Sequence, residues 1–164
     1  HLALTDESVI GFDTSTKMNP PLRTAEDSAA LIEAARDGTI DAIATDHAPH
    51  HADEKMLEYD RAPFGVIGLE TALGVALRVL YHTKQASLYR VVEMLTAGPA
   101  RAFSLSRGTL ARESAADITV FDPEREWVVD PKGFKSKCRN TPFDGWRLRG
   151  AVVATFVAGR KVSG

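Results

Sequence analysis

The sequence predicts an α/β fold: the closing units of a TIM-type (β/α) barrel over residues 1–107, then a small all-β piece over residues 108–164. Three observations carry that prediction. Helical signatures alternate with a short β-branched run up to about residue 107. A polar, histidine-rich loop follows that run, where a barrel keeps its chemistry. Beyond Gly108, helical periodicity gives way to short apolar runs broken by Gly, Pro and Asp.

Taken in order, residues 13–23 read as loop, because Pro20 and Pro21 suit neither a helix interior nor a central strand. Thr24 has the signature of a helix N-cap, with Asp27 as its capping-box partner and Glu26 in the positive first turn. Alanines with Leu31 and Ile32 carry that helix to Arg36, and Gly38 stops it. Residues 40–45 are small or β-branched and predict a strand ending at Asp46. A loop over 47–65 is long for a compact domain, and such loops are usually functional or disordered. A helix is expected over 68–82, with Leu69, Leu73, Ala76, Leu77 and Leu80 near one face. Further helices are expected over 87–95 and 99–103, and strands over 117–122, 127–129 and 150–162. Met94, Trp127 and Trp146 read as packing residues.

The balance of 44% hydrophobic and 26% charged residues is that of a soluble globular protein. A net charge of −2 gives no sign of a nucleic-acid surface, and Lys132, Lys135, Lys137 and Arg139 read as a solvated loop. No apolar run approaches the roughly 20 residues that span a bilayer, so no membrane partner is expected. Cys138 is the only cysteine, which rules out an internal disulfide and fits a reducing, cytoplasmic location. The chain starts at His1 without a methionine and is expected to be a piece of a longer protein.

Chemistry concentrates in two places. Thr45-Asp46-His47-Ala48-Pro49-His50-His51 follows the predicted strand. Asp46 offers a hard oxygen ligand for Zn²⁺ and a proton acceptor, while the histidines add ligands or donors. Read by itself, the same stretch also suits a surface loop with an Asp cap. Lys17-Met18-Asn19-Pro20-Pro21-Leu22-Arg23 places a stiffened amide at Asn19, a directional donor to a carboxylate or ring carbonyl, or else a plain turn.

Together these stretches resemble a known family. KMNPPLR, then DAIATDHAPH, then APFGVIGLETALG, and later Asn140-Thr141-Pro142-Phe143-Asp144-Gly145 and Thr155-Phe156-Val157-Ala158-Gly159 are similar in order to type I dihydroorotases of the cyclic amidohydrolases. One departure is Glu113, where the family usually has glycine, and this puts a local turn in doubt. The resemblance implies a β-sandwich built from both chain ends, of which residues 108–164 give the C-terminal strands. It implies zinc-dependent, reversible hydrolysis of (S)-dihydroorotate to N-carbamoyl-L-aspartate in pyrimidine biosynthesis, with one or two Zn²⁺ ions. Asp46 then matches the aspartate that ligates zinc and acts as general base and acid. Asn19 and His50 match substrate-binding positions, and Phe64-Gly65 match a stretch whose backbone meets the pyrimidine ring. The remaining metal ligands are expected upstream, so residues 1–164 alone are expected to be inactive. His1 is expected to be structural, His47 and His51 have no assigned role, Glu70 is expected to serve a helix N-terminus, and Cys138 to be inert. Expected partners are the missing N-terminal part, a second copy, or aspartate carbamoyltransferase. The alternatives are an inactive dihydroorotase-like partner of that transferase, or a hydantoinase or allantoinase.

Overall fold

A computed structural model describes residues 1–164. Helix α1 (Ala25–Asp37) starts where the sequence places it: Thr24 is its N-cap, and the Thr24 hydroxyl accepts from the Asp27 amide at 3.3 Å. The Asp27 carboxylate takes the Thr24 hydroxyl proton and the Arg23 guanidinium instead of closing the box on the Thr24 amide. Gly38 ends the helix at φ +94°, a conformation that costs glycine little.

Residues 40–45 form no strand, which corrects the sequence expectation. A strand is defined by its ladder, and this segment has none beside it. It is held by other means: the Ile43 amide donates to the Met94 carbonyl at 2.9 Å, and the Arg90 guanidinium caps the carbonyls of Ala35 and Ile40.

The predicted loop over 47–65 contains one short helix, α2 (Ala52–Lys55), capped by His51. Helix α3 (Ala72–Ala76) continues as a π-helical turn, Leu77–Tyr81. The helix expected from residue 68 thus starts later, after a turn at Gly68–Thr71, and Leu69 is exposed rather than facing the core. Helices α4 (Leu88–Leu95) and α5 (Ala97–Ala102) follow close to their expected positions, α4 with Ser87 as N-cap. Ala35, Ala76, Leu77, Leu80, Val91 and Met94 form the buried cluster between these helices.

The second half is an antiparallel sheet of β1 (Ile118–Val128), β2 (Arg147–Val157) and β3 (Arg160–Ser163), in that order. The two strands expected at 117–122 and 127–129 are one strand with an irregularity between Asp122 and Glu126. Pro123 has no amide to donate there, and the Asp122 carboxylate accepts from the amides of Glu124 and Arg125 at 2.9 and 3.2 Å. The run 150–162 is split by a hairpin in which Ala158 and Gly159 both take positive φ, as a tight two-residue turn demands. Gly150 lets the sheet meet the helices closely, since a Cβ there would lie 2.2 Å from Leu77 Cδ1. Leu148 and Val129 are buried at this junction. Trp127 donates its indole N–H to the Gly150 carbonyl, and half-buried Trp146 packs edge-on against Phe143. No helix is long and apolar enough to cross a membrane.

Glu113, the residue expected to disturb a turn, has φ +67°. The turn therefore keeps a glycine-like backbone around a side chain that pays for it. Glu113→Gly is expected to raise unfolding stability by about 0.5–1 kcal/mol, the relief of left-handed strain less the entropy of glycine. Urea unfolding measures this, and an unchanged or lower midpoint would mean that the Glu113 side chain supports the turn.

Candidate active site

Asp46 also has a positive φ, +44°, and its side chain is exposed at the rim of a cavity of about 350 Å³. Left-handed backbone is tolerated best by Asn, Asp and glycine, and it turns the chain sharply where the 40–45 segment gives way to the 47–65 loop. Asn19 and Gly65 line the same cavity, and Ile43, Val75 and Phe143 supply apolar wall. An apolar pocket with a few convergent polar groups is the usual form of a small-molecule site.

His50 and Phe64 are not part of that lining. His50 Nε2 lies 2.8 Å from the Phe64 carbonyl, and its Nδ1 is 3.6 Å from the Glu54 carboxylate. His50 instead borders a second, polar cavity of about 450 Å³ with Lys137 and Arg139. The two cavities are nonetheless adjacent, because a Cβ at Gly65 would stand 3.4 Å from His50 Nε2. The structure therefore unites Asp46, Asn19 and Gly65, sets His50 just behind Gly65, and leaves the Phe64 ring exposed.

The backbone groups of Gly65 are already engaged. Its amide donates to the Lys17 carbonyl at 2.8 Å, and its carbonyl accepts from Lys55 Nζ and Asn140 Nδ2, each at 3.2 Å. Lys17 and Lys55 are both buried, and their ammonium groups point at loop carbonyls: Asp60 and Ala62 for Lys17, Pro63 and Gly65 for Lys55. Lys17 Nζ also sits 4.6 Å from the Phe64 ring centre. Burial, reinforced by the neighbouring Lys17 charge, holds Lys55 below the ordinary lysine range. A lysine that loses its proton more easily when folded adds stability as pH rises from its folded value towards 10.5.

Three further histidines do structural work. His47 Nδ1 accepts from the amides of Gly68 and Leu69 at 3.1 and 3.4 Å, and thus starts the turn before α3. His51 caps α2, and His1 bonds the Pro20 carbonyl at 2.7 Å, which anchors the Asn19 segment. Glu70 does not serve a helix N-terminus as expected. Its carboxylate reaches across to the amides of Lys135 and Ser136 at 2.8 and 3.0 Å, so the basic stretch 132–139 is tied down at its middle. No group of three or more His, Cys, Asp or Glu side chains gathers into a metal cage. Asp46 suits zinc as one exposed oxygen ligand of a larger set, and His1, the other residue of ligating type at the cavity, is engaged through Nε2 with the Pro20 carbonyl.

Known proteins bear directly on this arrangement. The chain belongs to the amidohydrolase family, whose model matches residues 8–162. Within it, the chain is similar to enzymes named dihydroorotase: 51% identical over 162 residues to that of Geobacter metallireducens, 52% to that of Pelotomaculum thermopropionicum and 55% over 166 residues to that of Anaeromyxobacter sp. strain K. Each match covers 99% of this chain and 38% of the relative, so the chain spans well under half their length. Among solved structures, the L-hydantoinase (dihydropyrimidinase) from Arthrobacter aurescens superposes with a TM-score of 0.89 at 32% identity, over 99% of this chain and 37% of that one. A D-hydantoinase follows at 0.88 and 25% identity, over 98% of this chain and 37% of that one. The amidohydrolase fold is therefore secure, and the sequence similarity runs to dihydroorotases.

Proposed function

We propose that residues 1–164 form the aspartate side of a dihydroorotase, with residues 1–107 closing a (β/α) barrel and 108–164 giving the C-terminal strands of a β-sandwich. Exposed Val120, Val152 and Val157 on the sheet support the second assignment, since they await cover from another sheet. The observation that carries the functional reading is the meeting of Asp46, Asn19 and Gly65 around one cavity. The reaction is the reversible opening of the dihydroorotate ring to N-carbamoyl-L-aspartate, a step of pyrimidine biosynthesis.

One or two zinc ions, held by Asp46 and by ligands outside residues 1–164, would lower the pKa of water towards about 7 and polarise the ring amide. The Asp46 carboxylate takes the proton of the attacking water and returns it to the departing ring nitrogen. Asn19 offers its amide to the substrate carboxylate from the facing wall of the cavity. His50 holds the Phe64 carbonyl, so the ring-facing loop keeps its shape while the substrate binds. The partner that completes the site is the remaining N-terminal part of the same protein, and the assembled enzyme is assigned to the cytoplasm. A hydantoinase is the second reading, supported by the fold match to the Arthrobacter enzyme.

A substrate panel on the full-length protein tests this. Turnover is expected for dihydroorotate, and little for hydantoin or dihydrouracil, which lack the ring carboxylate and would leave the donors that meet it unpaired. Asn19→Ala and His50→Ala are each expected to weaken kcat/KM for dihydroorotate by roughly 1–3 kcal/mol with zinc content unchanged. Loss of zinc in His50→Ala with substrate discrimination intact would make His50 a ligand and favour the hydantoinase reading.

A further inference from the structure

Asn140 lies in the second half of the chain, yet its side chain reaches both arms of the 47–65 loop at the candidate site. It is buried, with 7% of its surface exposed. Its Nδ2 donates to the Ala48 carbonyl at 2.9 Å and to the Gly65 carbonyl at 3.2 Å. Its Oδ1 accepts from the His50 amide at 3.3 Å, and its own carbonyl accepts from the Ile67 amide at 2.9 Å. One amide group thus fastens the starting arm of the 47–65 loop, which follows Asp46 and carries His50, to its closing arm at Phe64 and Gly65.

We infer that Asn140 is a positioning residue that sets the spacing between these two arms and thereby the fit of the substrate ring. The inference rests on the reading of this cavity as a cyclic-amide site. Its physical basis is the donor and acceptor count. An amide has two N–H donors and one carbonyl, and here all of them are used in a fixed plane. No other side-chain type of this size can give two carbonyls a proton each and also accept from an amide. An aspartate has the same shape, but it sets a carboxylate oxygen against the Ala48 and Gly65 carbonyls, and the two arms are pushed apart. Asp46 lies upstream of the fastened segment, so the chemistry itself should be less affected than binding.

The test is made in the full-length enzyme with Asn140→Asp and Asn140→Ser. Steady-state kinetics, zinc content and thermal melting are measured on dihydroorotate, hydantoin and dihydrouracil. In Asn140→Asp, KM is expected to rise about tenfold to a hundredfold, the effect of leaving the Ala48 carbonyl unpaired and setting a carboxylate against it, while the Gly65 carbonyl keeps Lys55, kcat stays within a few-fold and zinc content holds. Asn140→Ser keeps one donor, should fall between wild type and Asn140→Asp, and carries the test if the aspartate variant does not fold. Leu148→Ala serves as the control for plain destabilisation. It removes buried side chain under the sheet and should lower the melting temperature with KM unchanged. Wild-type KM in both Asn140 variants, with only melting lowered, overturns the inference. Turnover of hydantoin but not dihydroorotate by the wild type overturns the dihydroorotase reading alone, and the KM shift is then read on hydantoin. No turnover of any of the three overturns both.

Discussion

Asp46→Asn in the full-length protein is expected to lower kcat by at least about a hundredfold, the lower end of what general acid–base catalysis contributes. The variant is well suited to isolate chemistry from folding. Asn occupies left-handed backbone as readily as Asp, so the turn at φ +44° survives the change. An oxygen remains for a metal, but the proton acceptor is gone. Folding should be intact by melting, KM should move little, and the loss should sit in kcat. Near-normal turnover with zinc retained would remove Asp46 from the reaction.

Gly65→Ala is expected to have the largest effect on stability, roughly 2–5 kcal/mol, from left-handed strain plus overpacking. Gly65 is at φ +113°, where a side chain is strained whatever the space. There is no space either, because the new Cβ would stand 2.5 Å from Ala48 Cβ. Ala48 lies between Asp46 and His50, so relief of the clash must shift the segment that joins these two residues. Melting temperature should fall and KM should rise together. A variant that melts and binds as the wild type does would show that the two arms of the 47–65 loop are not in contact in solution.

How much of this was legible in the sequence varies by residue. Thr24 and Gly38 were readable because caps and left-handed stops are local signals, complete within a few positions. The Asp46 and Asn19 stretches were found from their residue types and the family resemblance, but their meeting at one cavity is a long-range fact. Residues 40–45 misled because strand propensity describes a residue's own preference, and a ladder needs a neighbour. The roles of Lys17 and Lys55 were missed because lysine is normally an exposed residue, and nothing nearby marks these two as buried. Glu70 and Asn140 were missed for a related reason. Their partners lie 65 to 92 positions away, beyond any periodic or capping pattern. The one signal that could have raised Asn140 is its place in a stretch that the family resemblance covers without assigning it a task.

The buried lysines have a consequence for how this site can change. Lys17 and Lys55 grip Asp60, Ala62, Pro63 and Gly65 through main-chain oxygens, an attachment indifferent to the side chains of the gripped residues. Shape and chemical character are thereby uncoupled along that loop. Exposed Arg61 can be exchanged without loosening a single tether, whereas Phe64 also gives Lys17 a ring contact at 4.6 Å. Side-chain variation along the loop should therefore leave its path unchanged, so laboratory evolution is expected to tolerate exchanges at 61 and leave the two lysines alone.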